Sequence, residues 1–355
     1  MNSGELKPSL SLHDAAAIVA GDMIGSGIFI VSADIVRHVH SPAALLLVWI
    51  VSGLMTIAGA LAYGELAAMM PQAGGQYVYL REAYGGLLGF LYGWTLLLVI
   101  QTGTIAAVAV AFARFAGVIW PIFGAQLWFG VGGIGISGER AGAIAVIALL
   151  TAANLRGLNL GRLVQNYFTG LKLLSLLLII VLGCLIAPNA AALSANFGTA
   201  KAFFGTGGIS LGAAAAFGAA MVGGLFSADA WATVTFTASE VRNPRRDLPL
   251  SLAFGTGIVI LLYVFTNVAY LFQLPASGAS AIGPVFAHGI GHATNDRVAA
   301  AAMSMVWGRT GAALTAILVI ISTFGCANGL ILTGARVIYA MAHDRVFFPA
   351  AGLLN

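Results

Sequence analysis

The sequence predicts an all-α polytopic membrane protein, and three observations support this fold class. Of its 355 residues, 60% are hydrophobic and only 8% are charged, whereas a soluble domain carries about 25% charged residues. A surface with so little charge requires lipid as its covering. Long apolar runs recur along the chain, and a helix of about 20 apolar residues spans the bilayer core.

Eight apolar runs are predicted to be spanning helices, here numbered segments 1 to 8. Segment 4 is the shortest of them. Between segments 7 and 8, residues 273–310 include Pro275, Pro284 and two arginines, which predicts a loop with an interfacial helix. The predicted segments are Ala15–Val36, Ala43–Met70, Leu87–Ile119, Ala141–Leu155, Leu163–Ala187, Leu211–Thr237, Leu250–Leu271 and Gly311–Met341.

The basic residues predict which side of the membrane holds the N-terminus. If the chain crosses alternately, ten of the 16 Lys and Arg residues fall on the N-terminal side, three of them in "VRNPRRD" at 241–247. Because cytoplasmic loops carry an excess of Lys and Arg, we expect a multi-pass protein of the cell (inner or plasma) membrane with a cytoplasmic N-terminus. The six residues expected on the opposite side are Arg37, Arg114, Arg140, Lys201, Arg297 and Arg309.

Three short patterns match enzyme motifs, but none has the context that its chemistry needs. "GVGGIG" at 130–135 has no preceding strand for a dinucleotide-binding unit, and "GISLG" at 208–212 has no α/β sheet for a nucleophile elbow. "GISG" at 135–138 lacks a histidine at membrane depth to activate its serine. We therefore expect no enzyme, no cofactor and no metal site.

Ionisable residues inside the apolar segments are candidates for a site, because a charge at membrane depth is costly. Snorkelling or pairing between helices accounts for those near segment ends, namely Glu65, Glu240 and Arg336. Asp22 and Asp229 differ because each adjoins an interrupted helix, and Lys172 lies within segment 5.

Segments 1 and 6 both carry an interruption. Segment 1 contains Gly25-Ser26-Gly27, and segment 6 contains "VGGLFSADAW" (222–231), in which Gly223-Gly224 precede the aspartate. Such glycines serve either as close-packing points or as helix breaks. Paired breaks in helices 1 and 6 are typical of transporters built from two five-helix inverted repeats. Freed N–H groups bind an anion and freed carbonyls bind an ammonium, a combination that fits an amino acid.

Five blocks, in this order and spacing, carry a resemblance to a known family. The chain resembles the amino acid–polyamine–organocation (APC) superfamily of amino acid permeases, most of all its L-type amino acid transporter and related bacterial branch. The resemblance covers nearly the whole chain. The blocks are "IGSGIF" (24–29), "YGELAAMMPQAGGQYVYLREAYGGLLGFLYGW" (63–94), "NLRGLNLGRLVQNYFTGLKLLSL" (154–176), "FSADAWATVTFTASEVRNPRRDLP" (226–249) and "STFGCANGLILTGARVIYAMAHD" (322–344).

The resemblance implies a leucine-transporter-type inverted-repeat fold and transport by alternating access. It implies that Gly25, Ser26 and Gly27 offer N–H groups and a hydroxyl to a substrate carboxylate. Carbonyls near Met23, Phe226 and Asp229 would accept from the substrate ammonium, and Phe226 would cover the substrate as a gate.

The resemblance also gives Lys172 a coupling role. Sodium-independent members place a lysine here, whose ammonium occupies the position of a sodium ion and ties segment 5 to segments 1 and 8. Such a lysine is also a candidate proton carrier, and snorkelling to the interface is the alternative. Gln101 and Asn328 are candidate pocket residues, although hydrogen bonds between helices explain them equally well.

Two departures from the family pattern concern the candidate pocket. Asp22 stands where relatives usually carry a small or amide residue, so it selects cationic substrates, pairs with Lys172 or faces the cytoplasm. Ala228-Asp229-Ala230 replaces a stretch that bears tyrosine and glycine, which leaves the substrate preference open.

The predicted function is a sodium-independent amino acid permease or exchanger (antiporter) formed by one domain, residues 1–355. Segments 1–5 (13–187) form the first repeat and segments 6–8 (211–342) a partial second. We therefore expect a chain truncated after helix 8. The alternatives are an amino acid-binding membrane sensor without transport, or an inactive fragment of a permease. The expected partners are an amino acid and the bilayer, with protons as a further candidate, no nucleic acid, and a partner subunit left open.

Overall fold

The computed structural model describes residues 8–124, 126–131, 134–155, 158–205, 210–278 and 283–353, most of them helical. Lys7, Arg156 and the start of the "GISLG" pattern (208–209) lie outside the described residues. Of the described helices, six are long and apolar enough to cross a membrane, and a bent pair at the start provides a seventh span. These helices confirm the prediction of an all-α multi-pass protein.

The helices follow the predicted segments in order. Segment 1 forms two helices, α1 (Leu12–Met23) and α2 (Gly27–Val39). The others are α3 (Pro42–Met69), α4 (Gln76–Tyr84), α5 (Gly86–Thr95), α6 (Thr102–Ile119), α7 (Gly138–Asn154), α8 (Leu158–Ile180), α9 (Ala190–Phe197), α10 (Ala200–Phe204), α11 (Leu211–Ser227), α12 (Pro244–Gln273), α13 (Val285–His288) and α14 (Val298–His343).

Several helices continue with a different winding. A π-helical stretch, Leu96–Gln101, joins α5 to α6, and another, Val181–Ile186, extends α8. A 3₁₀ helix, Trp231–Glu240, follows α11 and completes segment 6. Helix α14 is kinked at Trp307 and Gly308, so its first turns are set apart from the part that corresponds to segment 8. Segment 4 corresponds to α7, which has 17 residues.

Two short antiparallel strands, β1 (Leu127–Val131) and β2 (Ile134–Ser137), form a hairpin between α6 and α7. A strand therefore does precede most of "GVGGIG", contrary to the sequence prediction. The strand returns as a hairpin instead of leading into a helix, so no dinucleotide-binding βαβ unit forms. Ser137 of the "GISG" pattern caps α7, its hydroxyl accepting from the Arg140 N–H at 3.3 Å.

Capping side chains set where the first spans begin. Ser11 and Asp14 form a capping box at α1, each side chain accepting from the other residue's N–H, which satisfies amides that have no partner inside the helix. At α3, the Ser41 hydroxyl accepts from the Ala44 N–H, and Pro42 occupies the first turn, where its fixed φ suits the helix.

Helix α1 is enclosed by other helices. It packs against α8, α12, α14 and the 3₁₀ helix Trp231–Glu240. Small residues allow this close packing, since a Cβ at Gly255 of α12 would lie 2.7 Å from a methyl carbon of Val19. Most α1 residues from Asp14 to Met23 are buried. A helix that is buried on all sides needs no polar face, which explains the nearly continuous apolar pattern of segment 1.

The end of the bundle that holds the N-terminus is held together by charged and backbone contacts. The Glu240 carboxylate binds Arg336 of α14 through Nε at 2.7 Å and a second nitrogen at 3.2 Å, as pairing between helices predicted. The Glu240 carbonyl accepts from the backbone N–H groups of Ser9 and Leu10 at 2.7 and 2.8 Å. The chain before α1 is therefore fastened to the end of segment 6.

A second cluster at this end joins α4 to the end of α14. Arg81 forms an ion pair with Asp344, and the Tyr77 hydroxyl donates to the same carboxylate at 2.8 Å. Burial and the hydrogen bond to Asp344 raise the pKa of Tyr77 to about 12. The protonated phenol is thus a hydrogen-bond donor to the Asp344 carboxylate.

We expect Arg336→Ala to destabilise the protein strongly. Its partner Glu240 is only 1% exposed, and removing one member of a buried ion pair costs roughly 3–5 kcal/mol because it leaves the other charge unpaired. Thermal unfolding of the purified protein measures the loss. The matched control is Arg37→Ala, because Arg37 (38% exposed) and its partners Asp34 (49%) and Asp296 (48%) form exposed ion pairs, and an exposed pair contributes about 0–1 kcal/mol. Equal losses from the two variants would contradict the expectation.

Candidate functional site

Segment 1 is broken where its sequence predicted. Helix α1 ends at Met23, α2 begins at Gly27, and the two helices differ in direction by 43°. Within the break, the Gly25 N–H donates to the Met23 carbonyl at 2.9 Å, a tight local turn. The first amides of α2 have no acceptor inside their own helix, and the positive end of its dipole lies at the break.

Segment 6 is broken within the predicted stretch, but not at its glycines. Gly223 and Gly224 lie inside α11, where a Cβ on Gly224 would come within 2.8 Å of the Ser52 hydroxyl. They are packing points against the neighbouring helices. The break falls at residues 228–230, and Ala230 adopts a left-handed conformation with φ of 68°, which is uncommon for a residue with a side chain.

The two breaks touch each other. A Cβ on Gly27 would lie 2.7 Å from the Cβ of Ser227, so only glycine allows this approach. A small cavity of about 50 Å³ opens beside the contact. It is lined by residues of α1, α2, α6, α14 and the segment 6 break, including Asp22, Met23, Gly25, Ser26, Gly27, Phe226, Ser227 and Asp229.

Most of the predicted site residues are therefore neighbours in space. All six predicted substrate-binding residues line the cavity, as does Asp22. Phe226, the predicted gate, is 61% exposed. The Asp229 side chain is exposed, and its N–H donates to the Phe226 carbonyl at 3.3 Å. The lining residues include two carboxylates and no basic residue.

Carbonyls freed by the first break are bound by side chains from other helices. Five consecutive carbonyls, those of residues 21–25, lie within hydrogen-bond distance of four such donors, and the last two carbonyls share the Ser322 hydroxyl. Lys172 Nζ lies 2.5 Å from Gly21 O, Cys326 Sγ 3.1 Å from Asp22 O, Tyr263 Oη 2.9 Å from Met23 O, and Ser322 Oγ 3.0 and 2.9 Å from Ile24 O and Gly25 O.

Tyr263 of α12 joins the two breaks. Its hydroxyl lies 2.9 Å from the Met23 carbonyl and 3.2 Å from the Ser227 carbonyl, so the same oxygen contacts both interruptions. The ring is fully buried and packs edge-on against Trp49. These contacts fix the position of the broken halves relative to each other.

Lys172 is fully buried and contacts both helices predicted for it. Its ammonium donates to the Gly21 carbonyl of α1, and its side chain packs so closely against α14 that a Cβ on Gly325 would lie 2.9 Å from Lys172 Cε. A hydrogen-bonded lysine at this position ties segment 5 to segments 1 and 8. Snorkelling to the interface is therefore not the arrangement seen.

Asp22 is 2% exposed and sits in a hydrogen-bonded cluster. One carboxylate oxygen accepts from Gln165 Nε2 at 2.9 Å, and the other lies 2.6 Å from the Thr233 hydroxyl. The Lys172 ammonium hydrogen-bonds the neighbouring Gly21 carbonyl.

The remaining two pocket candidates lie elsewhere. Gln101 donates to the Leu330 carbonyl at 2.7 Å and lines a separate, larger and mostly apolar cavity of about 370 Å³. Asn328 is buried and donates to Gln165 Oε1 at 3.2 Å. Both make hydrogen bonds between helices, which was the alternative to a place in the substrate pocket.

Sequence reasoning did not identify Tyr263, Ser322, Gln165 or Thr233. Each is one of several polar residues in a helix or beside the break, and sequence position alone does not tell which helix face it occupies. A useful signal was available for Gln165, which lies seven residues before Lys172. Seven residues are about two helical turns, so both side chains lie on one face of α8.

Comparison with known proteins decides the family. A sequence profile of amino acid permeases matches residues 10–349. The chain belongs to the amino acid permease family, within the APC superfamily. Its relatives are transporters and exchangers, which confirms the prediction that it is not an enzyme.

Two relatives illustrate how similar these permeases are. The serine/threonine exchanger SteT of Bacillus subtilis (strain 168) is 30% identical over 350 residues, covering 99% of this chain and 71% of its own length. The human large neutral amino acids transporter small subunit 2 is 31% identical over 343 residues, covering 96% of this chain and 58% of its own length. This chain is thus shorter than both.

One solved structure supports the fold. Mhp1, a nucleobase-cation-symport-1 family transporter in a closed conformation with bromovinylhydantoin bound, matches 99% of this chain and 72% of its own chain. The TM-score is 0.55 at 14% sequence identity. The permease therefore has the leucine-transporter-type fold that the resemblance implied.

We expect Gly27→Ala to disturb the contact between the breaks, and Gly25→Ala to be better tolerated. A Cβ at Gly27 would meet the Ser227 side chain at 2.7 Å or less, whereas a Cβ at Gly25 has its nearest neighbour, Cys326 Sγ, at 3.4 Å. Overpacking costs about 1–3 kcal/mol. Thermal unfolding compares the variants, and adding Ser227→Gly to Gly27→Ala should recover part of the loss. An equal effect of both alanines would contradict this geometry.

Tyr263→Phe should also lower the free energy of unfolding. It removes a donor shared by two buried carbonyls, and an unsatisfied buried polar group costs about 1–3 kcal/mol. Tyr84→Phe is the matched control, since Tyr84 is exposed. A loss no greater than that of the control would show that the shared hydroxyl does not hold the breaks.

Proposed function

We propose that this permease is a sodium-independent amino acid permease or exchanger that binds substrate at its two helix breaks and works by alternating access. The observation that carries this proposal is the cavity where the breaks meet, lined by residues of both. The relatives are named as amino acid transporters and exchangers. Because this chain covers only 58–71% of their lengths, the activity of a whole transporter is part of the proposal.

The proposed carboxylate position is the start of α2. Ser26 makes no capping hydrogen bond with its side chain, so its hydroxyl is available to a ligand. The amides of Ser26 and Gly27 lie at the positive end of the α2 dipole, an arrangement that favours anions. A substrate carboxylate there would accept from these groups.

The proposed ammonium position lies across the cavity, at the segment 6 break. The Phe226 carbonyl and the Asp229 carboxylate are its acceptors. Both residues line the cavity. The Met23 carbonyl already accepts from Tyr263 and from the Gly25 N–H. Both of its lone pairs are therefore engaged, and it would bind a substrate only in place of one of these donors. The ring of Phe226, which is largely exposed, would cover the substrate once bound.

Lys172 is the proposed replacement for a coupling sodium ion. Its ammonium bonds Gly21 next to the break and lies against α14, so a fixed positive charge joins the helices that an ion would otherwise join.

The proposed location is the cell membrane with a cytoplasmic N-terminus. Arg81, Arg242 and Arg336 lie at the N-terminal end of the bundle, in agreement with the excess of basic residues on the inner side.

Counterflow in proteoliposomes tests the function. We expect saturable exchange of labelled L-serine or L-leucine, the probes suggested by the relatives' names, at equal rates with and without sodium. Lys172→Ala removes the donor of the buried Gly21 carbonyl, which costs about 1–3 kcal/mol. If the exchanging conformation loses about 1.4 kcal/mol of this stabilisation, the exchange rate should fall at least about tenfold.

The matched control is Lys201→Ala, because Lys201 is exposed on the short helix α10. It should leave exchange unchanged. A requirement for sodium would overturn the assignment of Lys172. Saturable binding of all probes without exchange would overturn the transporter proposal in favour of a sensor or an inactive permease.

A further inference from the structure

We propose that Asp22 is a proton-carrying residue, and that its protonation decides whether the Thr233 hydroxyl donates its hydrogen to helix α1 or to the segment 6 break. The position of the proton on Asp22 is argued from hydrogen-bond geometry alone. Its coupling to amino acid movement rests on the proposed function.

A chain of amides determines which carboxylate oxygen can hold a proton. Asn154 Nδ2 donates to the Leu150 carbonyl at 2.9 Å and to Asn328 Oδ1 at 3.0 Å. Asn328 Nδ2 then donates to the Gly161 carbonyl at 3.3 Å and to Gln165 Oε1 at 3.2 Å. Backbone carbonyls can only accept, so they set the orientation of both asparagine amides.

The orientation passes to the carboxylate through Gln165. Because its Oε1 accepts from Asn328, its Nε2 faces Asp22 Oδ1, at 2.9 Å. An amide NH₂ group donates and does not accept, so Oδ1 must be an acceptor in either protonation state. A proton on Asp22 therefore resides on Oδ2.

Oδ2 faces a hydroxyl that has two possible acceptors. Thr233 Oγ1 lies 2.6 Å from Asp22 Oδ2 and 2.8 Å from the Ala230 carbonyl. A hydroxyl has one hydrogen to donate. With Asp22 ionised, Thr233 donates to the carboxylate. With Asp22 protonated, Oδ2–H donates to Thr233, and the Thr233 hydrogen turns to the Ala230 carbonyl.

The exchange moves one proton and breaks no other covalent bond. The carboxylate takes a proton from water on the cavity side, since Asp22 lines the cavity, and later returns it to water. The position of the Thr233 hydrogen changes with each transfer. Because Ala230 is the left-handed residue of the segment 6 break, protonation adds a hydrogen bond within that break and changes the one that ties it to α1.

The surrounding helices are shaped to hold this carboxylate. A Cβ on Gly329 of α14 would overlap Asp22 Oδ1, and a Cβ on Gly21 would collide with Gln165 Nε2. The titratable groups near the Asp22 carboxylate are the Lys172 ammonium of α8, the Cys326 thiol of α14 and, in the lining of the same cavity, Asp229. Tyr263 of α12 binds the adjacent Met23 carbonyl. Ionised Asp22 balances the Lys172 charge, whereas protonated Asp22 leaves it uncompensated.

Infrared difference spectroscopy of the full chain in lipid, between acidic and alkaline buffer, tests the proton site without any substrate. We expect a carboxylic-acid C=O band that appears on acidification and is lost in Asp22→Asn. Thr233→Val should shift the frequency of this band, because its hydrogen-bond partner is gone, while Thr233→Ser should restore it. Asp34→Asn, which alters an exposed carboxylate, should leave the band in place.

The results separate this proposal from the proposed function. A difference spectrum that is the same in Asp22→Asn as in the native protein would overturn the proton site, and an unshifted band in Thr233→Val would overturn the hydroxyl switch.

The coupling of this proton to transport is measured separately, as the rate of L-serine exchange across a pH series. The amide introduced by Asp22→Asn presents an NH₂ group to Thr233, as protonated Asp22 presents its O–H, so this variant should abolish the pH dependence. Absence of exchange in the native chain would overturn the proposed function and the coupling, and leave the infrared result standing.

Discussion

The requirement that every buried backbone group in a membrane has a hydrogen-bond partner governs this structure. An interrupted helix exposes carbonyls and N–H groups that lipid cannot satisfy, and each costs several kcal/mol if it is left alone. In this permease, the five carbonyls of residues 21–25 lie within hydrogen-bond distance of Lys172, Cys326, Tyr263 and Ser322, the last of which is shared by two carbonyls. The break thus depends on donors from three other spans, which explains why α1 is enclosed at the centre of the bundle.

The same requirement gives the break an asymmetry. Its carbonyl side is occupied by protein donors, while Ser26 and Gly27 at the start of α2 line the cavity. In the proposed binding mode, a ligand carboxylate would accept from the amides of these residues. On the other wall, the Phe226 carbonyl and the Asp229 carboxylate would accept from the ligand ammonium. This division agrees with a zwitterionic substrate.

Helix positions were predictable from the sequence because membrane thickness sets a minimum length for each apolar run. Predicted segment Leu87–Ile119 corresponds to Gly86–Ile119, and Ala43–Met70 to Pro42–Met69. The Gly25-Ser26-Gly27 break was also predictable, because three weak helix formers stand together. The roles of Gly223 and Gly224 were not, since a glycine that breaks a helix and one that packs a helix look alike in sequence.

Side-chain positions within the site were harder to predict than the spans. Met23, Phe226 and Asp229 adjoin the breaks, so their place in the cavity follows from the chain itself. Gln101 and Asn328 lie within continuous helices, and their direction depends on how each helix is rotated. Tyr263 was invisible for the same reason, although it contacts both breaks. The hairpin β1–β2 was missed because its strands are only five and four residues long and β1, LWFGV, lacks the alternating pattern of a half-buried strand.

The shared hydroxyl of Tyr263 has a mechanical consequence for the permease. One hydrogen serves two carbonyls, those of Met23 and Ser227, and it can point fully at only one of them at any moment. If the two broken segments separate, the hydroxyl can follow only one of them. Either the Ser227 carbonyl loses its tyrosine donor, or the Met23 carbonyl keeps only the Gly25 N–H. In the proposed alternating-access mechanism, separation would therefore weaken the bonding of one carbonyl beside the cavity, and closure would restore it.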